Sequence, residues 1–211
     1  VMLTLKKISN ESIRTNAIAA TVCAAAVAIN IILRLAVYNL DLPLYLDTVG
    51  TIAIAVMGGY LPGVLVGFIT NFIESITDPY AFYYGVLNVL IAVAAAYIAP
   101  RGWFGKIWGI IGAVLVFALI GGGIGAVIPM FIDDMYFDNE TISAIIYGTG
   151  YFSQEVSHII ANIAIDILDK GLSVIIVIII VKAVPKRYFA SCRFVFWAQN
   201  PIEDEEIFLA G

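Results

Sequence analysis

The chain of 211 residues is 62% hydrophobic and only 13% charged, with a formal net charge of −5. A soluble domain of this size cannot bury so much apolar side chain, and several runs lack charge over the roughly 18 residues that cross a bilayer. These runs are continuous rather than alternating, which predicts an all-α integral membrane protein and excludes a barrel. The acidic balance argues against nucleic acid as a partner, and Cys23 and Cys192 form neither a disulfide framework nor a CxxC metal site.

In chain order, residues 1–16 carry Lys6, Lys7 and Arg14 and read as a cytoplasmic amphipathic lead-in at a membrane surface. The first apolar run is too long for a signal h-region and has no clear cleavage site, so no cleavable signal is expected. A membrane domain of six helices is predicted over 17–187. Its first helix spans 17–38 and carries Ala20, Ala24 and Ala28 at spacings of four, a small-residue face suited to close helix packing. On the residues alone, packing within the monomer is the simpler reading and a protein partner the alternative.

The loop NLDLPLY (39–45) leads to two short helices, 46–58 and 61–77. Gly59, Gly63 and Gly67, also spaced by four, predict one smooth ridge for another helix backbone. If the two helices enter and leave on the same side, Asp47, Asn71 and Glu74 return to one level near that surface. Pro79 cannot continue the second helix. A fourth helix is expected over 82–99, with Asn88 its only strongly polar interior residue, followed by the basic turn PRGWFGK (100–106). The fifth, 107–132, contains GGGIG (121–125) and Pro129, so a kink or local unwinding is expected. An acidic, Tyr-rich connection (133–154), a sixth helix (155–181) and a cytoplasmic tail (188–211) complete the chain; the acidic run near its end reads as solvated.

Lys and Arg bias sets the orientation. With six helices, the lead-in, the 2–3 and 4–5 turns and the C-terminus share one side, which collects nine of the 11 cationic residues. Only Arg34 and Lys170 lie elsewhere, and the opposite loops hold Asp41, Asp78, Asp133, Asp134, Asp138 and Glu140. Both termini are therefore expected in the cytoplasm.

The last helix carries His158, Asn162, Asp166, Asp169, Lys170 and Ser173 at three- and four-residue spacings, one polar stripe on an apolar helix. An ionisable group at mid-membrane costs about 2.5 kcal/mol or more, so it should face the interior and be paired. Asp166 and Lys170 can pair at i and i+4. For Asp169 and Lys170 a structural ion pair and a functional role are both open, whereas His158 and Asn162 are placed for ligand contact. Glu74 and Asn71, one turn apart, sit at a similar outer level; an interfacial Glu wetted by headgroup water is the alternative. Tyr80, Tyr83, Tyr84, Tyr147 and Tyr151 read mainly as an aromatic belt, with a few free to stack on a flat heterocycle, and Trp103 and Trp108 as interface anchors. One His, no nucleophile–base motif, no P-loop and no HExxH predict a non-enzyme without a catalytic set, metal or cofactor.

LDTVGT, GGYLPGVLVGFITNFI, the DP after the third helix and DILDKGLSVIIVIIIVKAVP together resemble the substrate-binding S components of energy-coupling factor (ECF) vitamin transporters, over about 17–187. The resemblance implies capture of a small vitamin or micronutrient from outside. Its partners would be a transmembrane coupling subunit and two cytoplasmic ATPases, and it would topple in the membrane to release its cargo. It also implies that Ala20, Ala24 and Ala28 meet the coupling subunit, reversing the preference for internal packing. The implied pocket includes Asp47, Glu74, Tyr84, Asn88, His158 and Asn162, with Asn71 beside Glu74. Related six-helix modules serve as sensors fused to kinases or phosphatases, and the tail is compatible with such a linker.

Overall fold

A computed structural model describes residues 2–132 and 140–183, with side chains over 17–132 and 141–183. The lead-in charges Lys6, Lys7 and Arg14, residues 133–140 of the acidic connection, Cys192 and the tail 188–211 lie outside these side-chain ranges.

Among the described residues every regular element is helical. The α-helices are α1 (Met2–Asn39), α2 (Val49–Gly58), α3 (Tyr60–Glu74), α4 (Ala81–Ile98), α5 (Ile107–Ala118), α6 (Glu140–Tyr147) and α7 (Gln154–Ala183). Among the described residues, three stretches are long and apolar enough to cross a membrane: Ala17–Asn39, Ala81–Arg101 and Ile107–Phe131, of 23, 21 and 25 residues. Helix α7, 30 residues long, carries buried Asp166, Asp169 and Lys170.

The boundaries depart from expectation where backbone chemistry overrides apolar patterning. Helix α1 runs unbroken from Met2, so no joint separates the lead-in from the apolar stretch. Helix α2 starts at Val49 rather than 46, because Leu46 adopts φ +50°, which ends helical geometry. Helix α3 stops at Glu74, whose carbonyl accepts from the amides of Thr77 and Asp78 in a closing turn. The fifth helix loses α geometry at Ala118, passes into a π-helical turn over Leu119–Ile124 and ends in a 3-10 turn over Ile128–Phe131. The triple glycine and Pro129 account for that break. The acidic connection contains an unforeseen eight-residue helix, α6, packed on α7.

Gly59 is not part of a glycine ridge. It sits between α2 and α3 at φ +80°, a conformation other residues rarely adopt, and a Cβ there would touch nothing. Gly63 and Gly67 do permit close approach, but to different neighbours: Gly63 to Ala55 on α2 and Gly67 to the Asn88 backbone on α4.

The core contains Val49, Ile52, Ile54, Val66, Ile91, Phe117, Val174 and Val177, drawn from α2, α3, α4, α5 and α7. Asn30 of α1 ties three helices together: its Nδ2 donates to Thr51 and Thr70 (both 3.0 Å) and its Oδ1 accepts from the Gly50 amide (2.6 Å). Large apolar side chains instead cover the outside, among them Ile32, Leu65, Phe72, Val86, Leu115 and Ile179. Polar groups inside and apolar groups outside is the distribution a hydrocarbon surround favours.

Candidate functional site

A cavity of about 500 Å³ lies among the end of α1, the 40–48 loop, α3, α4, the glycine-rich turn after α5, and α7. Its volume is within the usual range for small-molecule sites. All seven residues assigned to ligand contact from the sequence line it: Asp47, Asn71, Glu74, Tyr84, Asn88, His158 and Asn162. They come from segments more than a hundred residues apart.

One wall is an oriented amide chain. The Ala81 carbonyl can only accept, so it fixes Asn71 with Nδ2 donating to it (3.1 Å). Asn71 Oδ1 then accepts from Asn88 Nδ2 at 2.8 Å, and the same Nδ2 donates its other hydrogen to the Asp47 carbonyl at 3.4 Å, which leaves Asn88 with only its oxygen to offer elsewhere. Gly67 and Gly85 let the two helices approach closely enough for this contact. On α7, Asn162 Nδ2 donates back to the His158 carbonyl (3.0 Å) and lies 3.2 Å from the ring Nε2, holding the two predicted side chains as one unit.

The second wall is ionic. Glu74, at the last turn of α3, pairs with Arg34 of α1 (Nη1–Oε2 2.6 Å), and Arg34 also reaches Asp78 at 3.1 Å. This corrects the wetted-interface alternative for Glu74, which is 6% exposed and held by a salt bridge. Lys170 on α7 is 2.7 Å from Asp169, 3.8 Å from Asp47 and 3.9 Å from Asp166. The i,i+4 pairing with Asp166 is thus the longest of three contacts. Asp169 does not line the cavity; its Oδ1 accepts from the amides of Tyr45 and Leu46, both at 2.8 Å, and fastens the 40–48 loop to α7.

Gly121, Gly122 and Gly125 line the cavity between these walls. A Cβ at Gly121 would collide with the Asp166 carboxylate, and one at Gly122 would sit 2.6 Å from the Asn162 carbonyl oxygen. Ala20, Ala24 and Ala28 do not line the cavity and are exposed on α1, so no described residue covers that face.

Sequence reasoning missed Arg34 and Asp78, treating one as an exception to the charge bias and the other as loop charge. A lone arginine inside an apolar helix demands a buried partner, and that signal was present. No known protein family, curated protein or solved structure matches this chain.

Proposed function

We propose that this chain is the substrate-binding S component of an ECF-type uptake transporter, capturing a small water-soluble nutrient from the extracellular side. It would sit in a prokaryotic plasma membrane with six crossing segments and both termini cytoplasmic. The observation that supports this reading most is the convergence of seven polar side chains, singled out beforehand, on one cavity of about 500 Å³. Apolar side chains over the outer surface support the membrane setting. Helices α2 and α3 have 10 and 15 residues, short of the roughly 20 needed to cross alone. Their crossing would include the 40–48 and 75–80 segments, and irregular backbone is tolerated at membrane depth where it lines a cavity.

The chain captures its ligand and does not transform it. ATP hydrolysis belongs to two cytoplasmic ATPases, reached through a transmembrane coupling subunit that docks on the exposed Ala20, Ala24 and Ala28 face. One observation favours a second use of the same cavity, as the sensing domain of a kinase or phosphatase. Helix α7 carries four lining residues and continues without a break to Ala183, a direct path toward the C-terminal segment. Co-purification separates the two. The transporter reading expects Ala20→Phe with Ala24→Phe to abolish recovery of the coupling subunit while leaving the chain folded; unchanged recovery contradicts it.

A further inference from the structure

The cavity is short of positive charge. Among the described residues its two cationic side chains, Arg34 and Lys170, are each outnumbered by carboxyl groups. Arg34 serves Glu74 and Asp78, while Lys170 is shared among Asp47, Asp166 and Asp169. A buried carboxyl without its own partner is costly, and neither cation is left over to receive an anionic ligand.

Oxygens that make no hydrogen bond lie beside these groups. Thr48 precedes α2 in the N-cap position, where a threonine hydroxyl ordinarily caps the helix, yet its side chain makes no capping bond. That hydroxyl, in a residue 3% exposed on the cavity wall, has no hydrogen-bond partner. Glu74 Oε1 likewise accepts no hydrogen bond, and neither does Asp47 Oδ1 in the residue before Thr48, which faces Lys170 Nζ only at the 3.8 Å of a loose ion pair. A helix start attracts anions, but at α2 Asp47 already supplies one and Asn30 takes the Gly50 amide. Four tyrosines, Tyr38, Tyr45, Tyr80 and Tyr84, complete the lining, and aromatic faces attract cations.

We propose that the ligand is an organic cation, with hydrogen-bond donors at its charged end and no carboxylate or phosphate, held by Asp47, Thr48 and Glu74. This rests on the reading of the cavity as a ligand site and names the class that site selects. Benzamidinium, benzamide and benzoate share one ring and one planar head and differ in charge, so they serve as probes. Titration calorimetry on the full chain in lipid nanodiscs should show saturable binding of benzamidinium alone. Asp47→Asn should weaken it about tenfold, the effect of losing one charge-assisted hydrogen bond; Glu74→Gln serves where the first variant does not fold. Unchanged affinity in both variants overturns the proposal. Benzamide or benzoate binding as tightly as benzamidinium overturns the charge assignment and leaves the ligand site standing. Failure of all three to bind also overturns the assignment, and the small molecules that co-purify with the chain then decide separately whether the cavity is a ligand site.

Discussion

Asp169 connects three parts of the molecule through one carboxylate. One oxygen accepts two loop amides and the other holds Lys170, so a single side chain positions the 40–48 loop, anchors a buried cation and sets the edge of the cavity. Leu46, one of the two amide donors, holds a left-handed backbone conformation at φ +50° that costs a residue with a Cβ roughly 1–2 kcal/mol. The Asp169 bond helps keep it there. Asp169→Ala should therefore destabilise the fold by about 3–5 kcal/mol, because it removes the nearest of the three carboxylates around Lys170 and orphans two amides together. Thermal unfolding in detergent reads this, and Asp169→Asn, which keeps an acceptor for the amides, should lose less. The polar stripe on α7 was legible from spacing alone. That Asp169 turns away from the cavity toward the loop was not, because neighbouring positions on one stripe differ in direction only once the packing partner is known.

At the scale of elements, the break in α5 shapes the site. An unbroken α-helix would carry its side chains past α7; the π turn and the three glycines bring backbone against backbone instead. Gly122 is the tightest constraint against the α7 backbone, with Asn162 and Ile163 on its far side, whereas a Cβ at Gly123 meets only Ile163 at 3.8 Å, an ordinary contact. Gly122→Val should cost about 1–3 kcal/mol as overpacking and displace Asn162 with it, while Gly123→Ala should leave thermal stability undiminished. Equal losses in the two variants would contradict the backbone contact. GGGIG and Pro129 announced the break, but a uniformly apolar run carries no periodicity to say where α geometry ends. The same limit hid α6, too short to show a repeat against its polar surroundings, and allowed Gly59, a turn residue, to be read as part of a helical ridge.

For the whole molecule, the outer surface is apolar as well as the core. Asn30, Asn71, Glu74, Asn88, Asp166, Asp169 and Lys170 are inside beside the apolar core, while many further phenylalanines, leucines and isoleucines are exposed. Composition alone announced that apolar surface. The cavity was legible only as residue types at related levels, since Arg34 and Asp78 acquire meaning from a contact across 44 positions of sequence. The proposed function requires a ligand in this cavity of about 500 Å³. Native mass spectrometry of the detergent-purified chain, expressed in cells grown on rich extract, addresses this directly. A small molecule should remain bound to the wild-type chain through gentle ionisation, be released on activation, and be absent from Glu74→Ala with Asn162→Ala. A wild-type chain that carries no small molecule, or a double variant that retains it in full, would contradict the assignment of this cavity as the ligand site.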